Sequence, residues 1–382
     1  MEVSHDLSGK IRGRPDFLLL FLTILLVGNG LIMIFSASSH MALIEHDNPW
    51  YYVMKQGVFA LIGLFVMFTF MGIPFTWWKK AAPKLLLFSL LALILVLIGG
   101  VNINGARRWL VLGGFNFQPA EFTKLSIIVY LSAIISKKGE RIREFRRGLL
   151  PILVMIVIIL LLVIKQPDFG TMLILFFIAV AILLIGGIDL RHLVILSLGF
   201  IPIIIYFAFS KSYRLQRLTS FLNPMDSPQG SGYQLIQSLY ALGHGGLTGV
   251  GIGQSVQKLF YLPEAHTDFI FAVVGEELGF VGTALLILMF FLFIWRGFTA
   301  AIRSYDPFGI MLGIGIIMMI FIQFLLNVGA VTGILPITGV PLPFTSYGGS
   351  SLVLCLASTG ILLSISRDNN RRRQEATRNS TK

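Results

Sequence analysis

The chain has 382 residues, of which 55% are hydrophobic and only 13% charged, with a mean hydropathy of +0.83. A soluble domain carries about a quarter charged residues to keep its surface hydrated, so this composition excludes an ordinary water-soluble fold and makes lipid the solvent. A net charge of +12 would suit a nucleic-acid partner, but the segregation of those charges described below fits a membrane and no nucleic acid.

Apolar runs of about 20 residues can span the hydrocarbon core of a bilayer. Such runs are predicted near 16–35, 53–71, 81–100, 121–136, 149–164, 171–188, 193–210, 268–295, 308–328 and 351–366. The first ends in Ser36-Ala37-Ser38-Ser39 without a cleavage pattern and is followed by nine others, so it is expected to stay as a helix and not be removed as a signal peptide. With the N-terminus inside, 21 of the 30 Lys and Arg residues fall on the cytoplasmic side and 9 on the other, while the 18 acidic residues divide evenly. That is the asymmetry the positive-inside rule requires. The expected fold is therefore an all-α polytopic membrane protein of about ten transmembrane helices, forming one domain over 1–382. It has a cytoplasmic N-terminus (1–15), a large extracytoplasmic loop between helices seven and eight (211–267) and a basic cytoplasmic tail (367–382). The single cysteine, Cys355, lies in the last run, so neither a disulfide framework nor a cysteine metal site is expected.

The cytoplasmic loops are short or plainly basic, whereas the outward loops are rich in specific-looking residues. "NGARRW" (Asn104 to Trp109) and "QPAEFTKL" (Gln118 to Leu125) place Arg107, Arg108 and Lys124 on the side where cations are disfavoured. A diphosphate head group would compensate them, since Arg binds phosphate bidentately and Lys binds it as a point charge. Alternatively Glu121 and Lys124, three apart on a helix, pair with each other. Trp109 reads as an interfacial belt residue. In "KQPDFGT", Asp168 is expected to pair with Lys165 or cap the following helix.

In the loop before the eighth run, "SYRLQRLTSFLNP" and "GYQLIQSLYALGHGG" have the apolar spacing of short amphipathic helices lying on the membrane surface. His244 and His266 show no metal spacing and read as loop residues. "PEAHTDFIFAVVGEELGF" then sets Asp268 at the outer mouth of the eighth run, with Glu276 and Glu277 two turns further in. Carboxylates in an apolar span are expensive enough to imply a role. On a continuous helix Glu276 would lie about 12 Å deeper than Asp268 and about 80° round the axis, with Glu277 nearly opposite. Only Glu276 is thus expected to share a cavity with Asp268, whose competing reading is a helix cap. "ITGVPLPFTSYGGSS" (Ile337 to Ser351) reads as an irregular segment, tolerated at membrane depth only where protein or a water-filled cavity satisfies its backbone.

Taken together, these motifs resemble the SEDS (shape, elongation, division and sporulation) family, in family order and over nearly the whole chain, from "PDFLLLFLTILLVGNGLIMIFSAS" to "SYGGSSLVL". "GIGQSVQKLFYLPEAHTDF" is closer to the FtsW and SpoVE branch than to RodA. Departures such as Ala120, where Ser is usual, and Phe169, where Leu is common, remove no group suited to chemistry. The resemblance implies an enzyme of the bacterial plasma membrane: a peptidoglycan glycosyltransferase that polymerises lipid II into glycan strands at the outer face, with inversion, during division or sporulation. It also implies a class B penicillin-binding protein that cross-links the strands, together with other division proteins, as partners.

Position by position, Asp268 matches the family's essential aspartate, and Arg107, Arg108, Trp109, Glu121, Lys124 and Glu276 match positions regarded as functional. The reaction needs a base for the attacking hydroxyl and cations for the departing undecaprenyl diphosphate. Asp268 takes the first role and Arg107, Arg108 and Lys124 the second, with Lys258 a further candidate. No resident metal is assigned, although a divalent cation (Mg²⁺ or Mn²⁺) between carboxylate and diphosphate is compatible with this scheme. The rival readings are a lipid II flippase using midspan carboxylates and a noncatalytic division scaffold. Polar residues gathered at the outer mouth favour the polymerase.

Overall fold

The computed structural model describes residues 13–103, 106–112, 115–192, 220–226, 232–259 and 261–380, with isolated positions between 194 and 230. Helix α1 (Phe17–His46) starts where the Asp16 side chain accepts from the Leu19 amide. It runs past the expected end at 35 because "HMALIEH" contains no Gly or Pro, and it stops at Asp47 in the left-handed region. After α2 (Tyr51–Gly72) and α3 (Thr76–Gly99), the outward loop forms a small antiparallel meander of β1 (Val101–Ile103), β2 (Ala106–Leu112) and β3 (Phe115–Phe117). Helix α4 (Pro119–Lys138) begins with Pro at its first position, and a tight helical corner over 139–149 leads to α5 (Leu150–Ile164) and α6 (Phe169–Ile185). The remaining helices are α7 (Tyr233–Gly245), α8 (Ile270–Ile302), α9 (Pro307–Val331) and α10 (Gly349–Ser380).

Among the described residues, eight helices are long and apolar enough to cross a membrane, and α6, at 17 residues, is a shorter apolar helix. The run expected at 193–210 falls mostly outside the described residues, as does most of "SYRLQRLTSFLNP". Helices α4, α9 and α10 are buried over most of their apolar length, whereas α2, α3 and α8 turn side chains such as Leu61, Phe65, Ile98, Phe280 and Phe291 outward. Exposed apolar surface on this scale is stable only against lipid.

Residues 13–16 and the C-terminal helix meet at one end of the bundle. There Asn370 donates to the Arg14 carbonyl at 2.7 Å, Arg367 donates to the Gly72 carbonyl at 2.9 Å, and Arg296 pairs with Asp16. The opposite end holds the meander, α7, the 246–269 loop and the irregular segment 332–348. Helix α7 is the amphipathic helix expected from "GYQLIQSLYALGHGG". Its buried residues Leu235, Ile236 and Ala241 pack toward α8 and α9, and Ser238 donates to the Val331 carbonyl at 2.7 Å. Protein, in place of the expected lipid surface, therefore receives its apolar face.

Helix α8 is broken at Gly279, whose φ of 65° and ψ of −164° leave the helical region. The break orphans helical carbonyls and amides, and the loop after α7 takes them up. The amides of Val250 and Gly251 donate to the carbonyls of Glu276 and Glu277, each at 3.0 Å, and the amides of Phe280 and Val281 donate to the carbonyls of Gly246 and Leu247 at 2.9 and 3.1 Å. The approach is so close that a Cβ on Gly279 would lie 2.3 Å from the Gly249 nitrogen. Residues Ile270–Glu277 are buried throughout, and the lipid-facing surface starts at Phe280. From there to Ile302 the helix is about 34 Å long, enough to cross a hydrocarbon core of about 30 Å by itself. Glu276 and Glu277 thus belong to a protein-enclosed half-helix and not to a continuous membrane span.

Candidate active site

Asp268 lies in the turn that leads into α8, partly buried, at the end of the bundle that carries the meander. Phe269 occupies the N-cap position of α8 and makes no side-chain cap bond. The backbone around Asp268 is held from α9, where the buried Asn327 amide nitrogen donates to the carbonyl of Asp268 at 2.7 Å and to that of Val340 at 2.8 Å. Segment 332–348 is irregular, as expected, and protein satisfies much of its backbone. The Leu342 amide donates to Ser346 Oγ at 2.8 Å, Gln56 donates to the Ser346 carbonyl and accepts from the Gly348 amide, and the Tyr347 amide donates to the His266 carbonyl at 3.0 Å. Thr345 and Ser346 are buried, and Ser350 donates to the Asn116 carbonyl of β3 at 3.0 Å. Ser346 and Ser350 therefore brace the segment.

The outward cations separate into three environments. Arg107 is exposed on β2, opposite Asn102 in the register. Arg108, next in the strand, projects to the other face. Its Nε donates to the Gln166 carbonyl at 3.1 Å and its Nη2 to the Pro167 carbonyl, which ties the meander to the turn before α6. Trp109 is half-buried and registers with Val101. Lys124 is fully buried, with its Nζ 2.8 Å from Oε1 of buried Glu121, so the pairing alternative is the arrangement found. The other Glu121 oxygen has no hydrogen-bond partner. Asp168 caps α6 by accepting from the Thr171 amide at 3.1 Å and also accepts from Gln118, as its capping alternative anticipated.

The two glutamates of α8 serve the loop that mends the helix break. Glu276 is fully buried. It sits 2.9 Å from His244 Nδ1 and accepts from Ser255 Oγ and from the amides of Val256 and Gln257 at 3.0 and 3.3 Å. Glu277 accepts from Ser36 of α1 at 2.7 Å and pairs with Lys258 at 2.7 Å. Lys258 is thus a buried partner of Glu277, and the acceptor capacity of Glu276 is directed to His244 at the end of α7 and to residues 255–257 of the following loop. Sequence reasoning missed the roles of Ser36, His244, Ser255 and Asn327, because each depends on a contact made across the fold.

His266 is packed among the rings of Tyr52 and Tyr347, at centroid distances of 4.8 and 5.5 Å. Burial lowers its imidazole below the ordinary 6.5, against a smaller raising pull from Glu264 and Glu45. It is therefore neutral at pH 7 and places no positive charge beside Asp268. Among the described residues no three His, Cys, Asp or Glu side chains are grouped as around a metal ion.

The chain matches the family described as cell cycle protein (FtsW/RodA/SpoVE) over residues 17–371. It is 44% identical over 359 residues to stage V sporulation protein E of Bacillus subtilis, covering 92% of this chain and 97% of that one. Over 355 residues it is 44% identical to a probable peptidoglycan glycosyltransferase FtsW of Trichlorobacter lovleyi, covering 92% and 93% of the two chains. Its fold matches a chain of a peptidoglycan synthase complex described as coordinating polymerization and crosslinking, with a TM-score of 0.76, 30% identity and coverage of 93% and 98%. It also matches the rod shape determining protein RodA of Thermus thermophilus, with a TM-score of 0.69, 28% identity and coverage of 93% and 97%.

Proposed function

Because the chain belongs to the FtsW/RodA/SpoVE family of cell cycle proteins, we propose that it is a peptidoglycan glycosyltransferase, a multi-pass membrane enzyme that polymerises lipid II into glycan strands. The observation that carries the reading is the placement of Asp268 in a braced turn above the lipid-facing part of α8, at the end of the bundle that carries the meander. A flippase needs polar groups through the membrane depth, whereas the glutamates of α8 are enclosed and engaged by the loop and α1. The end bearing residues 13–16 and 367–380 is assigned to the cytoplasm, because 21 of the 30 basic residues then lie on that side. The Asp268 mouth opens to the outer face, where the strands are needed.

In the reaction the 4-hydroxyl oxygen of one lipid II sugar attacks the anomeric carbon of the growing chain. The Asp268 carboxylate takes the hydroxyl proton as the new C–O bond forms. The bond from the anomeric carbon to the diphosphate breaks with inversion, and undecaprenyl diphosphate leaves with its electron pair. Exposed Arg107 is the primary cation for that diphosphate, while Arg108, on the other face of β2, holds the meander that presents it. Lys124, Glu121, Glu276 and Lys258 support the site from within, and half-buried Trp109 is assigned to its rim. A divalent cation, Mg²⁺ or Mn²⁺, would be held by Asp268 and would supply positive charge for the departing diphosphate. A class B penicillin-binding protein that cross-links the product is the expected partner, with other division proteins beyond it.

The test is the purified protein with its penicillin-binding partner and lipid II in detergent, assayed for glycan strands. Translocation of lipid II across vesicles without strand formation would replace this reading with the flippase. Within the same assay, Arg107→Ala is expected to raise the KM for lipid II about tenfold, the value of one charge-assisted hydrogen bond, without changing the melting temperature. Arg108→Ala is expected to lower the melting temperature by a few degrees, because it strands the Gln166 and Pro167 carbonyls. An Arg107 variant with wild-type KM removes that residue from diphosphate binding.

A further inference from the structure

Asn327 has no part in the scheme above, yet it ties α9 to the Asp268 turn. It is buried in α9, with 2% of its surface exposed, and its amide nitrogen bridges two carbonyls from separate segments, Asp268 before α8 and Val340 in the irregular stretch. Rotating the amide would set its oxygen against both carbonyls, so the network fixes its orientation. Holding Val340 also places Gly339 beneath the carboxylate. Gly339 has φ 69°, and a Cβ on it would lie 3.5 Å from Asp268 Oδ2. One side chain therefore sets both the height of the Asp268 backbone and the floor under its carboxylate. A general base must sit within hydrogen-bond reach of its proton, and misplacement by about 1 Å can cost about a hundredfold in rate.

We propose that Asn327 is a positioning residue for the glycosyl transfer: its amide locks the Asp268 turn to the 337–345 segment and so holds the Asp268 carboxylate at the distance the acceptor hydroxyl requires. The inference rests on the reading of Asp268 as the base. Asn327 itself touches no substrate, so its loss acts on the chemical step and not on lipid II capture.

The test compares wild type, Asn327→Leu and Asn327→Ser in the full-length protein with two readouts. Leu matches Asn in size and removes the donor, while the shorter, polar Ser leaves room for a water that donates to one of the two carbonyls. Hydrogen–deuterium exchange on the peptide over 263–272 is expected to speed up about tenfold in Asn327→Leu and less in Asn327→Ser, with exchange in α4 unchanged. Unaltered exchange at 263–272 overturns the clamp whatever the polymerase assay gives. In that assay kcat is expected to fall about tenfold or more for Leu and less for Ser, with KM for lipid II within about twofold of wild type. A folded Asn327→Leu protein with wild-type kcat, or with only KM raised, also overturns the proposal. A wild-type protein that makes no strands sinks the polymerase reading separately, and the exchange experiment still decides the clamp. If Asn327→Leu does not fold, the same criteria are applied to Asn327→Ser.

Discussion

Asp268→Asn is expected to abolish strand formation while leaving expression, insertion and partner binding intact. The amide keeps the size and one acceptor oxygen of the carboxylate but cannot take a proton, and general-base catalysis contributes about 10² to 10⁴ in rate. The competing account, that Asp268 is a helix cap, predicts a nearly active protein, because Asn caps about as well as Asp. Thermal stability of the detergent-solubilised variant, measured beside activity, separates the two accounts. A stable Asn variant that still makes long strands would take Asp268 out of the mechanism.

The second large effect is expected at the buried Glu121–Lys124 pair. Lys124→Ala leaves Glu121 charged and unpartnered in a buried position, and breaking a buried ion pair from one side costs about 3 to 5 kcal/mol. Most of the protein should then be lost to aggregation during detergent extraction. The double variant Lys124→Met with Glu121→Leu removes both charges at similar volume, and it should recover a monodisperse, folded protein. Size-exclusion profiles and melting curves of the three proteins check this. Should Lys124→Ala keep the wild-type melting temperature, the pair is not the enclosed contact described here. Strand synthesis by the double variant then shows whether the charges also take part in the reaction.

Most of the helices were legible in the sequence because lipid permits few alternatives: an apolar run of 20 residues must satisfy its own backbone, which a helix does. The misses are places where protein, not lipid, satisfies the backbone. The meander β1–β3 is built from strands of three to seven residues, too short to announce themselves against loop sequence. Helix α1 outlasts its apolar run because hydropathy falls near 35 while no helix stop signal occurs before Asp47. At the site, the Glu121–Lys124 spacing was legible and its enclosure was not, since the cover comes from helices distant in sequence. The break in α8 had a trace in the pairs Gly245/Gly249 and Gly275/Gly279, both spaced by four. Only the fold shows that the two pairs lie against each other.

That break bears on how the chain is made. An inserting ribosome–translocon complex sorts segments by apolarity as they emerge, and the stretch that satisfies it here is Phe280–Ile302. The half-helix Ile270–Leu278 cannot be delivered in finished form by that route. Until residues 246–251 dock, the carbonyls of Glu276 and Glu277 and the amides of Phe280 and Val281 have no partners, and each such group costs several kcal/mol away from water. The turn that carries Asp268 is thus completed after insertion, by a loop synthesised before the segment it repairs. A nascent chain stalled with α8 in the bilayer should then expose Glu276 to a water-soluble modifying reagent, and release should protect it.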